Sequence, residues 1–179
     1  ADFYTGHVIL ESPKQNKVTD LDPVDPLIAF TQESEELIIS AEVSTVLGKL
    51  GKAIFVPREM SQINLAYQID WSRIPVGSLR LGHITLIPTA FDRRSLYYRT
   101  NNGGVQPETF PLAGRRIDHG SALSFLVSAG CAVGMTERVL EIGDAERSLH
   151  LSIDMNLAAL VGLITYREVN DRYFCRVSL

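Results

Sequence analysis

Asp118-His119-Gly120-Ser121 sets three residue types of a hydrolytic triad side by side. Adjacency is the wrong signal, because a triad converges in space from separate elements. Asp, Gly and Ser are turn formers, so a polar turn is the simpler reading. Ser128, in Val127-Ser128-Ala129-Gly130, only echoes a nucleophile elbow and lacks its glycine framework. Gly48-Lys-Leu-Gly-Lys52 has the residue types of a phosphate loop without the spacing or the Ser/Thr. His7, His83, His119 and His150 are scattered, with no zinc-binding spacing. Cys131 and Cys175 fit neither a disulfide framework nor a metal site, and buried free thiols are expected. No cofactor or metal is expected, and no residue set declares an enzyme.

Charge gives one further candidate. Arg93, Arg94, Arg99, Arg115 and Arg116 crowd a segment whose acids are Asp92 and Glu108. With Tyr97 and Tyr98 among them, these arginines are candidates for contact with RNA phosphates or with an acidic neighbouring subunit. Ordinary solvated loop charge is the competing reading. The first fifty residues hold nine acids against three bases, and the whole chain carries a net charge of −4. That balance argues against a grip on nucleic acid along the whole sequence, so any genome contact would be local.

The elements that would position these residues read as strands. Ile63, Leu65, Tyr67, Ile69 and Trp71 alternate with polar or small residues, which on a strand gives one apolar and one wet face. A break at 72–77 leads into a second run, Ser78 to Ile87, whose apolar parity switches at Gly82, where a bulge is cheap. The two runs are expected to be the centre of an antiparallel structure. Leu149, Leu151, Ile153, Met155 and Leu157 form a second alternating set. Further strands are expected at Leu27–Thr31, Leu96–Arg99, Ala122–Val127, Arg138–Ile142, Leu160–Val169 and Tyr173–Leu179. The region from Glu33 to Gly51 is ambiguous. Ile39, Val43, Val46, Leu47 and Leu50 fall at helical spacing, so a short helix is expected from Ala41 to about Leu50, although β-branched residues weigh against it.

Length and composition bound the rest. At 179 residues, 45% apolar and 21% charged, the chain is expected to be one domain, with residues 1–26 as an arm or loop. No run of ~18 apolar residues occurs, so no transmembrane helix and no membrane partner are expected. Strands at short spacing, separated by turn residues, point to an all-β fold, a sandwich or barrel. The β-then-helix rhythm of a parallel α/β fold is absent.

From Val46 to Pro88 the order of features resembles the jelly-roll coat proteins of picorna-like viruses. It is most similar to the small coat proteins of comovirus-type plant viruses. Val46-Leu47-Gly-Lys-Leu-Gly-Lys52 matches the end of a short helix, Gln62–Asp70 the next strand, and Trp71 with Val76-Gly-Ser-Leu-Arg-Leu81 the entry to the one after. The resemblance covers about a quarter of the chain. It implies an antiparallel jelly-roll β-sandwich of about eight strands with a short helix. It also implies a non-enzymatic subunit of an icosahedral capsid, found in the virion and in host cytoplasm during assembly. Its partners would be copies of itself, a larger coat protein and viral RNA. A start at Ala1 agrees with a subunit cut from a polyprotein. Two alternatives stay open: a plant-virus movement protein binding single-stranded RNA, suggested by Leu163-Ile-Thr-Tyr-Arg167, and a small β-barrel ligand-binding protein or enzyme.

Overall fold

The computed structural model describes residues 6–13, 17–21, 27–101, 104–116, 132–135, 138–157 and 160–179. The fold is all-β and antiparallel. Fifteen strands and one 3-10 turn (Arg93–Ser95) make up the regular structure of the described residues, with no α-helix among them. The expected strand Ala122–Val127, with His119, Ser128 and Cys131, lies outside the described residues. Contacts divide the chain into two compact units, Gly6–Leu81 and one that takes in Gly82–Leu179.

The first unit contains β1 (Val8–Glu11), β2 (Lys17–Thr19), β3 (Leu27–Gln32), β4 (Glu36–Thr45), β5 (Gly48–Pro57), β6 (Asn64–Trp71) and β7 (Ser78–Leu81). β3 to β6 form a four-stranded meander in chain order, and β2-β1-β7 form a smaller sheet. The helix expected over Ala41–Leu50 does not form. That stretch is the hairpin of β4 and β5, turned by Val46-Leu47 between paired Thr45 and Gly48. β-branched Val43, Thr45 and Val46 favour the strand. The Thr45 hydroxyl closes the turn, donating to the Gly48 carbonyl at 2.8 Å and accepting from the Leu47 amide at 3.2 Å. Gly48 sits at φ +138°, and a Cβ there would lie 2.2 Å from the Asp70 carbonyl oxygen. Strand geometry also explains the misleading spacing, since Val43 pairs with Leu50 and both point the same way as Ile39.

The expected central pair is likewise revised. β6 pairs with β5, whereas β7 pairs with β1, so the two strands on either side of the 72–77 break belong to different sheets. The parity switch at Gly82 (φ +67°) ends β7 rather than bulging one long strand, and β8 (Ile84–Leu86) begins the second unit.

The second unit is a two-sheet sandwich. One sheet has the order β10-β9-β12-β13, built from β9 (Tyr97–Thr100), β10 (Glu108–Pro111), β12 (Val139–Gly143) and β13 (Ser148–Ser152). The other has the order β11-β14-β15-β8, with β11 (Ala132–Met135), β14 (Gly162–Val169) and β15 (Arg172–Ser178). Alternation supplies the core from both sheets. Tyr98, Leu140 and Ile142 come from one; Ile164, Tyr166, Tyr173, Cys175 and Val177 come from the other. Tyr98 stacks on Phe110 at 4.9 Å between ring centroids. The Tyr173 hydroxyl accepts from the Phe91 amide at 3.3 Å and donates to the Ile87 carbonyl at 3.4 Å, so the ring is buried without stranding its polar tip.

Candidate interaction surface

The register of the β3–β6 meander sorts its side chains into two faces. Phe30, Ile39, Ile54 and Leu65 form one row straight across the four strands. Two residues along, Ile28, Ala41, Lys52 and Tyr67 form the next row, and Val43, Leu50 and Ile69 the one after it. Leu37 and Val56 extend the face beyond the Phe30 row. The reverse face carries Ala29, Ser40, Ala53 and Ala66 in one row and Glu42, Gly51 and Gln68 in another. A third row on the reverse face holds Thr31, Ile38, Phe55 and Asn64, and Leu27 pairs with Glu42 there, so the reverse face is mixed whereas the first is richer in aliphatic and aromatic residues.

Only half of the apolar face is covered. Val43 and Leu50 are 6% and 1% exposed, packed with Val8, Leu79 and Leu81 from the smaller sheet. At the other end Phe30 and Ile28 are 71% and 55% exposed, and Leu37 and Leu65 are also exposed. Four strands spaced ~4.8 Å apart and about five residues long at ~3.4 Å each give roughly 330 Å². Patches of that size, the largest on an ordinary monomer, are often sites of interaction. β3 and β6 are the edges of this sheet, so backbone groups flank the apolar face on both sides.

The boundary between the two halves is polar and tied down. Lys52 pairs with Asp20 and donates to the Gly6 carbonyl at 2.7 Å. The second oxygen of Asp20 accepts from the Val8 amide at 2.9 Å. The Tyr67 hydroxyl donates to the same Gly6 carbonyl at 3.2 Å. Burial, helped by the negative charge of Asp20, pushes the Tyr67 phenol up to about 12. This network fixes the entry of β1 onto the sheet, and covered apolar surface ends at it.

The five arginines singled out in the sequence do not form one bare cationic patch. Arg94 folds back onto Asp92 through two nitrogens, at 3.3 and 3.1 Å. That contact and the Arg94 amide hold the Asp92 carboxyl below its ordinary value. Arg93 lies 3.6 Å from Glu168 and donates to the Asn170 carbonyl at 3.3 Å. Arg99, on β9, faces Glu141 across the sheet at 3.8 Å. Arg115 and Arg116 lie exposed in the loop after β10. Arg93, Arg94 and Arg99 thus each carry a carboxylate of this chain.

The residues that suggested catalysis do not converge either. His83 is buried and within 3.2 Å of the Ser178 hydroxyl, whereas His150 is exposed beside Ser148. Cys175 is fully buried, and desolvation pushes its thiol up to about 12, well away from a reactive thiolate. No group of three or more His, Cys, Asp or Glu able to hold a metal ion occurs among the described residues. An open groove of about 680 Å³ in the first unit is walled by Leu10, Val18, Val46, Leu47 and Val76 with Lys17 and Arg73. Its described walls carry neither a histidine nor a carboxylate, so they offer no acid–base pair. No helix of the described residues is long and apolar enough to cross a membrane. No family model, curated protein or solved structure matches the chain.

The uncovered face was half legible. The alternation of β6 gives its inward set directly, but coverage depends on where β1 and β7 lie. The strong pattern in Leu37-Ile38-Ile39 and Ala53–Val56 hints at a sheet rich in apolar residues on a short connection.

Proposed function

We propose that the chain is a structural subunit of an icosahedral virus shell, assembling with copies of itself and a larger coat protein around an RNA genome, and that it has no enzymatic role. The observation that carries this reading is the half-uncovered apolar face of β3–β6. A chain that spends its life as a free monomer gains nothing from exposing Phe30 and Leu65 at the ends of a row whose Ile39 and Ile54 are only half-buried, whereas a subunit buries the row against a neighbour. A stable contact needs about 800 Å² per partner, more than twice the patch. The patch therefore acts as one contact among several, as a shell subunit with many neighbours requires. The all-β antiparallel architecture, with its two-sheet sandwich, supports the same reading. On this reading the protein is found in the virion, and in host cytoplasm while assembly proceeds.

Sedimentation of native extract followed by negative-stain electron microscopy tests it. Uniform shells that contain this chain, a larger second chain and RNA are the expected result. A dispersed monomer that forms no large assembly beside candidate partners refutes it.

A further inference from the structure

The two ends of the β3–β6 meander carry opposite charge. At one end the β3–β4 hairpin turns through Ser34-Glu35, closed by the Glu33 amide donating to the Glu36 carbonyl at 2.9 Å. The Arg58 amide braces the turn, donating to the Glu35 carbonyl at 2.9 Å. Glu33 and Glu35 are exposed, as are Arg58 and Glu59 beside them, and Glu36 is half-exposed. None of these carboxylates joins an ion pair among the described residues. At the other end the β4–β5 turn walls the open groove of the first unit. Leu10 and Val18 are its buried wall, and Val46 and Val76 form its lip, 90% and 86% exposed. Lys17 and Arg73 stand beside them, both exposed and neither in an ion pair among the described residues. Glu11 lies opposite Lys17 in the β1–β2 pair, but no ion pair joins the two. β4 runs ten residues between these ends, from Glu36 to Thr45. At ~3.4 Å per residue that is ~30 Å, so the acidic turn cannot reach the groove of its own copy.

We propose that the acidic β3–β4 turn of one copy seats in this groove of a second copy, its glutamates against Lys17 and Arg73 and its exposed Leu37 on the apolar lip. The charges are complementary, and the turn is held in shape before contact by its own hydrogen bonds, so little ordering is lost on binding. A small ligand needs most of its surface enclosed, which a groove open along its lip does not supply. A contact of turn against turn would set glutamates face to face and is disfavoured. Turn into groove joins two different surfaces, so the association is head-to-tail and closes into a ring or runs on as a filament. Closure into a ring, one contact among the several of a shell, rests on the shell-subunit reading.

A carbodiimide joins a lysine amine directly to a carboxylate in contact with it. Applied to an equal mixture of isotope-labelled and unlabelled full chain, it yields mixed-label peptides only where two copies touch. The expected product joins Lys17 to Glu33, Glu35 or Glu36 with mixed label. No mixed-label product at Lys17, or one that joins it to a carboxylate outside this turn, overturns the proposal, as does a product with a different protein. Charge reversal gives the second readout. Lys17→Glu with Arg73→Glu, and separately Glu33→Lys with Glu35→Lys, should each weaken self-association at least ~tenfold by sedimentation velocity. An equal mixture of the two variants should associate more strongly than either alone, because each then offers the other an opposite charge. All four positions are exposed, so the variants should keep the native urea midpoint. Self-association of a folded variant at native strength, or a mixture of folded variants no stronger than its parts, overturns the proposal. If a variant does not fold, the crosslink on the native chain decides. Shell formation is scored on the same native material. Shells without the Lys17 crosslink refute this inference alone, and crosslinked small oligomers that never form shells refute the subunit reading alone.

Discussion

Phe30→Thr separates folding from assembly. Phe30 lies on the edge strand β3, in the uncovered half of the apolar face, and is 71% exposed. A phenylalanine offers ~200 Å² to burial, so a neighbour that covers it removes about 140 Å² from water. At ~25 cal/mol per Å² that is about 3.5 kcal/mol for each such contact. Threonine is β-branched, which suits a strand, and returns a small part of the area. The expected loss is about 3 kcal/mol, or more than a hundredfold in the association constant of that contact. The free subunit should barely notice, because an exposed side chain contributes little to folding, within about 0.5 kcal/mol. Sedimentation velocity of the assembling mixture reads the first quantity, and urea denaturation of the free chain reads the second. Assembly like that of the native chain, at all concentrations, would refute the claim that this face is buried against a neighbour. A drop of several kcal/mol in subunit stability would show that Phe30 is a folding residue.

Leu140→Ala removes a fully buried side chain from the centre of the sandwich and should cost about 2–5 kcal/mol, seen as a lower urea midpoint with an unchanged slope. Gly48→Ala puts a methyl group against the Asp70 carbonyl, so the β4–β5 turn should rearrange; loss of amide-exchange protection around Thr45 and Asp70 is the readout, and full protection would contradict the turn geometry. Tyr67 supplies a pH dependence. Its phenol is raised from 10.0 to about 12 by burial and by Asp20, so the unfolded chain ionises first. Its contribution is complete below pH 10 and is lost as pH climbs through about 12. Denaturation of the native chain and of Tyr67→Phe should therefore diverge in that alkaline window, with the native chain losing stability faster; parallel curves would refute it.

Most strands with clean alternation were legible in the sequence, because period two needs no knowledge of neighbours, but the alternating set Leu149–Leu157 is strand only as far as Ser152. β6, β14 and β15 follow their apolar residues closely, and each strand is bounded by the turn residues that the pattern suggests. The β4–β5 hairpin was not legible as such. Ile39, Val43 and Leu50 satisfy a helix and a folded-back pair of strands equally well, and only the close approach of Gly48 to Asp70 decides between them. The arginine cluster misled for a related reason. Asp92 adjoins Arg93 and Arg94 in the chain, but Glu141 meets Arg99 only through strand pairing, and Glu168 meets Arg93 only where β14 packs near the 3-10 turn. The glutamates of the β3–β4 turn and the cations Lys17 and Arg73 stood in plain view. What hid their opposition was topology: only the length of β4 and its hairpin with β5 place the turn and the groove at opposite ends of one sheet.

The distribution of lysine divides the molecule chemically. All four lysines, Lys14, Lys17, Lys49 and Lys52, precede residue 82. Labelling of lysine side chains therefore marks only the Gly6–Leu81 unit, and the side chains of the sandwich stay chemically silent to it. Arginine-directed dicarbonyl reagents reach both. Used in sequence on assembled and dissociated material, the two chemistries give a footprint in which loss of lysine labelling reports a neighbour on the first unit alone.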